Sequence, residues 1–383
     1  MKKILVAVIG LLLGVGLGIL IVLNFLVPKT DNAIINPLAP KKMVIGFLPY
    51  WLLDKENNNH LKYITTLAYF GLRVDGNGNI QKLLNPQEEE PGWNALNSGK
   101  LDNFFAQALK NNENLSLMIV SGDVDSINEL IASPGAHAKN LVMDLKPIIA
   151  KYKFSDINLD IEYTSQASPS SRQNFTKFVG EVKRELGNGV TLTVEISPTD
   201  VIKNNLIDPN AISKIANNVV LMAYDYHSTS SFVTGPVAPV SGAGISSEYD
   251  VTSAVEKALD LIPPEKLVLG IPLYGYEWET LGQVPRSAII PGTGVVASNE
   301  RVENLISSCS SCSATLDKEA DEKYIVYFDP TSGDFHTIFY PDKASTQAKI
   351  TMANNFQLEG LALWALGYEG DLILNPLTNY KNE

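Results

Sequence analysis

From residue 43 onward the chain alternates short apolar runs with stretches whose apolar positions recur every three or four residues. The runs at 44–47, 65–72, 115–121, 157–163, 192–197, 219–226, 267–273 and 361–366 are mostly bounded by Gly, Pro, Asn or Asp, which predicts eight β-strands. Between the fourth and fifth, Phe175, Phe178, Val179, Val182 and Leu186 share one side of a helix, with charges on the other. Asp250 stands where the N-cap of a second helix belongs, ahead of Val251, Ala254, Val255 and Leu259. Leu141, Leu145, Ile148 and Ile149 form a third stripe, in which Pro147 predicts a kink or a later helix start. Near-continuous apolar strands that alternate with helices imply a parallel sheet buried on both faces. Eight of them over roughly 320 residues fit an α/β fold of the (β/α)₈ TIM barrel type. A doubly wound open sheet is the alternative, but no glycine-rich phosphate loop follows the first strand.

One connection is too long for a barrel helix. Between the seventh and eighth runs, residues 324–329 and 334–340 alternate in polarity about a PTSG turn and predict a hairpin. Residues 345–355 resemble the helix that should precede the last strand. Residues 279–342 therefore read as a small α+β insertion, standing at the C-terminal face of the barrel where active sites lie.

The N-terminus changes the picture of where the barrel resides. Residues 4–28 are uncharged and strongly apolar after Lys2 and Lys3. At about 1.5 Å per residue they can cross the roughly 30 Å core of a bilayer. No small-x-small cleavage site is present, so residues 1–28 are expected to be an uncleaved signal anchor, a single transmembrane helix. Residues 29–42 read as a linker, 43–375 as the barrel and 376–383 as a tail. The expected location is the cell membrane, single-pass, with the barrel extracellular, or secreted if the segment is cleaved.

Composition adds exclusions. With 45% hydrophobic and 19% charged residues the chain can bury a large core and is not of the disordered class. A net charge of −12 with no basic patch argues against nucleic acid. Cys309 and Cys312 are too few for a zinc site, and outside the cell a local disulfide is expected, with free thiols the alternative. His60, His137, His227 and His336 are scattered without metal-ligand spacing, so no metal is expected. His227, just past the sixth run, has two open readings, lining a site or a structural role.

The chemistry gathers in residues 154–163, FSDINLDIEY. On a strand, Asp156, Asn158, Asp160 and Glu162 share one face, while Ile157, Leu159, Ile161 and Tyr163 share the other. An edge strand would tolerate this, but the inward positions of a barrel are normally bulky and branched. A polar cavity is implied. Glu162 falls at the C-terminal end, and the nearby Asp160 disfavours a second negative charge, which keeps one proton on the pair near neutrality. Such a pair suits general acid work on a leaving oxygen.

Residues 156–162, DINLDIE, resemble the acidic strand motif of family 18 glycoside hydrolases, D-G-x-D-x-D-x-E. Glu162 matches the catalytic acid and Asp160 the aspartate before it. Asn158 replaces the middle aspartate, and Ser155 and Asp156 stand where Asp-Gly is usual. The N-x-D-x-E form resembles the branch acting on bacterial cell walls and spores. Residues 222–225, MAYD, are similar to the family's M-x-Y-D, whose Tyr and Asp (here Tyr224 and Asp225) contact the acetamido group and the reacting sugar. Residues 270–278, GIPLYGYEW, are similar to G-x-P-x-Y-G-x-x-W, and the last strand, GLALW, to one whose Trp (here Trp364) floors the sugar subsite. The insertion before that strand is also a family trait. The resemblance implies Glu162 and Asp160 as catalytic residues, Asn158, Tyr224, Asp225, Trp364 and Tyr276 as substrate-binding residues, and no cofactor. It further implies a polysaccharide of β-linked N-acetylated hexosamine, of chitin or peptidoglycan type, cleaved with retention by a substrate-assisted mechanism. From the residues alone, Glu195 and Asp225 stand open as protein nucleophiles. A barrel that binds such glycans without cutting them is the rival class, and the presence of Glu162 favours an enzyme.

Overall fold

The computed structural model describes residues 42–55, 59–203 and 205–381. The expected anchor and residues 29–41 of the linker lie outside them, and among the described residues no helix is long and apolar enough to cross a membrane. The eight apolar runs become β1 (Met43–Pro49), β2 (Thr66–Arg73), β3 (Asn114–Ser121), β4 (Asp156–Ile161), β5 (Thr191–Ile196), β6 (Asn218–Leu221), β7 (Leu267–Pro272) and β8 (Gly360–Trp364). Each pairs in parallel with its neighbour, and β8 returns to β1, so the sheet closes into the expected (β/α)₈ barrel. Closure leaves no open sheet edge, and the solvated-edge reading of β4 falls away.

Two apolar layers hold this frame. The larger lies between strands and helices and takes the outward side chains, Ile157, Leu159 and Ile161 of β4 among them. The helices that cover it include α1 (Pro134–Tyr152), α2 (Pro169–Leu186) and α3 (Val251–Leu259). In α2 the predicted Phe175, Phe178, Val179 and Val182 are all buried. Asp250 caps α3, its side chain accepting from Ser253 N at 2.7 Å. Pro147 sits inside α1 and the helix runs through it. The carbonyl that loses its N–H partner belongs to Met143, which is 60% exposed, so the missing bond faces water. The smaller layer fills the barrel itself and consists of Ile45, Phe47, Ala68, Met118, Val220, Val268 and Ala362.

The insertion forms, but it starts earlier than residue 279. The strand Tyr274–Thr280 follows β7 after a single residue and pairs antiparallel with Val295–Ser298 on one side and Asp334–Tyr340 on the other. Glu322–Asp329 and Thr315–Asp317 complete a five-stranded sheet, and the predicted hairpin joins Glu322–Asp329 to Asp334–Tyr340. Helix α4 (Asn299–Ser308) packs with it and ends at the Cys309–Cys312 disulfide, and α5 (Lys343–Asn355) leads back to β8.

Candidate active site

The inward face of β4 carries the predicted polar column. At its base Asp156 accepts from Ser116 Oγ (2.7 Å), Thr191 Oγ1 (2.6 Å) and Thr193 Oγ1 (3.0 Å). Burial pushes its pKa up, and these three hydroxyls oppose that. Above it Asn158 has no exposure and donates from Nδ2 to Glu195 Oε1 of β5 at 2.7 Å. Asp160 comes next, 5% exposed, its pKa driven well up by burial and then by Glu162. Glu162 follows the strand end directly, its N–H bonded to Ser121 O at 2.9 Å, with its side chain open to the cleft. The surrounding wall and the Asp225 charge raise its pKa as well. One proton on the Asp160–Glu162 pair near neutrality is what these directions favour.

The sequence-predicted β6 ends early, at Leu221. Ala223 N bonds back to Leu221 O (2.8 Å) and Tyr224 N to Met222 O (2.9 Å), and Asp225 adopts a positive φ of 60°. These tight turns swing Tyr224 and Asp225 over the mouth of the barrel. A Cβ on Gly270 of β7 would stand 2.8 Å from Leu221 O and 2.9 Å from the Tyr224 ring, so glycine there leaves room for that ring. The Asp225 carboxylate accepts from the Tyr274 hydroxyl and, at 2.9 Å, from the Tyr276 hydroxyl. Burial raises its pKa and the two hydroxyls lower it. Three side chains secure the chain that follows. His227 Nδ1 bonds Pro236 O (2.9 Å), Trp278 Nε1 donates to Ser228 O (3.1 Å), and Glu322 accepts from Val237 N (2.6 Å) and Ala238 N (2.9 Å). His227 thus takes the structural of its two readings.

Asp160, Glu162, Tyr224, Asp225 and Trp364 meet around one cavity of about 470 Å³ at the C-terminal mouth. Glu162 and Glu195 also line a second, adjoining space of about 750 Å³ beside β5. Trp364 lines the first of these, its ring 4.8 Å from Phe70 and 5.8 Å from Phe47. Two expected substrate contacts lie elsewhere. Asn158 is sealed beneath Asp160, because its level is too deep in the barrel. Tyr276 is 7% exposed within the insertion's own core and reaches the site only through its hydroxyl on Asp225. Sequence reasoning passed over Trp51, 46% exposed and edge-on to Trp364 at 6.3 Å, and also Tyr274. A signal existed for Trp51, which lies just beyond the C-terminal end of β1 where such barrels place site residues. Among the described residues no group of His, Cys, Asp or Glu could hold a metal ion.

A raised-pKa carboxyl pair in a cavity shared with a tryptophan, at the mouth of a (β/α)₈ barrel, points to the class of glycosidases. A sequence model of the glycosyl hydrolases family 18 matches residues 43–369, and the chain belongs to that family. It is 24% identical over 337 residues to the putative sporulation-specific glycosylase YdhD of Bacillus subtilis, covering 84% of this chain and 72% of that one. Its fold is similar to the crystal structure of the Bacillus megaterium spore cortex-lytic enzyme SleL, with TM-score 0.71 and 22% identity over 91% of this chain and 75% of that one. It is also similar to the Ostrinia furnacalis Group IV chitinase in complex with allosamidin, with TM-score 0.75 and 22% identity over 89% and 98%.

Proposed function

We propose that this chain hydrolyses a β-linked, N-acetylglucosamine-containing polysaccharide of the bacterial envelope, with retention of configuration and with the substrate's own 2-acetamido group as nucleophile. The observation that carries this reading is the pairing of Glu162 with the buried Asp160 at the cavity mouth. The carboxyls that could instead serve as protein nucleophiles are engaged, Asp225 by two tyrosine hydroxyls and Glu195 by Asn158. The acetamido carbonyl oxygen attacks the anomeric carbon while Glu162 gives its proton to the departing glycosidic oxygen. Asp160, as the anion, and the Tyr224 hydroxyl orient the acetamido group as it closes to an oxazolinium ion. Glu162, now ionised, takes a proton from water, which attacks the same carbon and reopens the ring. Asp225 contacts the reacting sugar and Trp364 stacks beneath it. Relatives named for sporulation and cortex lysis favour peptidoglycan over chitin.

Glu162→Gln tests the assignment. Turnover of N-acetylglucosamine oligomers or peptidoglycan should fall by at least about a hundredfold, with oligomer binding kept. Near-full turnover would sink it. The apolar N-terminal run is proposed to hold the barrel at the outer face of the cell membrane. N-terminal sequencing of the membrane fraction should find Met1 or Lys2, whereas a mature form starting near Lys29 would refute the anchor.

A further inference from the structure

Asn158 has no proton to lose, so β4 is one carboxyl short of the acidic motif it resembles. Its amide is spent on Glu195, one strand over. Glu195 is 2% exposed, and its second oxygen, Oε2, has no hydrogen-bond partner among the described residues. Two other buried carboxyl oxygens without a hydrogen bond among the described residues, Glu277 Oε2 and Asp317 Oδ2, each face an arginine, and two further buried carboxylates are fully met. Asp156 is met by three hydroxyls, and both oxygens of Glu322 accept backbone N–H groups. Leaving a buried carboxyl oxygen unmatched is costly unless the group holds a proton or trades one. The strand register leads to the same place. Leu159 pairs with Val194, and one step onward stand Asp160 and Glu195. Asp160 Oδ1 likewise has no partner among the described residues.

We propose that Glu195 supplies from β5 the carboxyl that β4 lacks at Asn158, and acts on the Asp160–Glu162 pair as a positioning residue of the reaction. This inference rests on the hydrolytic reading above. The titratable groups around Glu195 are Asp156, Asp160 and Glu162 from β4 and Tyr224 from the turn after β6. None is a cation. Burial first, and Asp160 second, push the pKa of Glu195 well up, and burial raises Asp160 and Glu162 as well, so the three carboxyls titrate as one coupled set. As pH rises, the protons leave the three carboxyls in mutually opposed steps. Each new charge makes the remaining protons harder to remove, which keeps Glu162 protonated to higher pH.

The test is kcat/KM against pH for the full chain, on a soluble N-acetylglucosamine tetramer and on purified bacterial peptidoglycan. Glu195→Gln keeps the acceptor for Asn158 and removes the titrating carboxyl. Its alkaline limb should move to lower pH by about half a unit or more, a loss of about threefold on that limb. Asn158→Asp adds a carboxyl and should move the limb upward. The double variant Asn158→Asp, Glu195→Gln restores the count and should return the limb toward the wild-type position. A purely structural Glu195 would lower stability or kcat without moving the limb, and the added aspartate would not rescue it. Unmoved limbs in variants that melt like wild type overturn the proposal. If Glu195→Gln does not fold, an unmoved limb in Asn158→Asp overturns it alone. A wild type inert on both probes overturns the hydrolytic reading and this inference together, whereas an active wild type with unmoved limbs overturns only this one.

Discussion

Tyr276→Phe removes one hydrogen bond from the electrostatics of the cleft and little else. The ring packs with Tyr274 and Trp278 in the insertion, 7% exposed, and only the hydroxyl touches the site, donating to Asp225 at 2.9 Å. The Tyr274 hydroxyl donates to the same oxygen and remains in the variant. A hydrogen bond to a charged acceptor contributes about 1.5–3 kcal/mol. The lower end applies, because Asp225 opens onto the cleft and solvent screens it. About 1.5 kcal/mol corresponds to roughly one pH unit. Both hydroxyls favour the ionised carboxyl, so removing one makes Asp225 hold its proton to higher pH. The proposed contact of Asp225 with the reacting sugar uses its carboxylate as an acceptor, so that share of activity is present above its pKa and lost as pH falls through it. The acid limb of kcat/KM should therefore shift upward by about one unit. Plateau activity and the melting temperature should stay near wild type, since the phenyl ring fills the same space off the cavity wall. An acid limb that does not move, or a uniform loss at every pH, would refute the coupling of the insertion to Asp225.

Two further outcomes are expected. Because the acetamido carbonyl is the proposed nucleophile, a fully de-N-acetylated oligomer should not be cleaved, and cleavage at a comparable rate would point to a protein nucleophile. Glu322→Ala strips two backbone N–H groups of a charged acceptor, at about 1.5–3 kcal/mol each. It also deprives the buried Lys349, whose pKa burial already lowers to about 8, of the strongest of the three carboxylates that oppose that shift. A loss of about 3–6 kcal/mol in denaturant unfolding is expected, and a loss under about 1 kcal/mol would mean the clamp on residues 237 and 238 is dispensable.

The barrel was legible because parallel strands buried on both faces leave unbroken apolar runs, and the helices between them keep a separate period. What failed was non-local or conformational. Residues 222–226 have strand-like letters, yet the chain turns there, and no local pattern encodes the positive φ of Asp225. Residues 274–278 fell between the seventh run and the insertion, while the strand they open pairs with Asp334–Tyr340, some sixty residues away. The site split along similar lines. Period-two alternation on β4 marked Asp160 and Glu162, whereas motif membership gave Asn158 and Tyr276 proximity to the cleft without orientation into it. Glu195 was within reach. Its strand reads TLTVEI, and the same alternation that turned Asp156 and Asn158 inward turns Thr191, Thr193 and Glu195 toward them.

That second alternation explains how the barrel interior is divided. The apolar filling comes from β1, β2, β3, β6, β7 and β8, and β4 and β5 contribute nothing to it. The seam between these two strands is a polar column running from Asp156 at the base, through Asn158 and Glu195, to Asp160 and Glu162 at the mouth. Hydrogen-bond satisfaction falls along its length. Asp156 is fully met, while Asn158 Oδ1, Glu195 Oε2 and Asp160 Oδ1 have no partner among the described residues. A seam shaped by stability alone would not look like this, because well-packed apolar residues are often as stable as a buried ionisable cluster or more so. The gradient runs toward the cleft, as expected where stability has been given up for proton handling. It also separates two roles that one motif runs together. The base of the column holds the seam closed, and the unsatisfied upper part, shared between two strands, is where the chemistry is tuned.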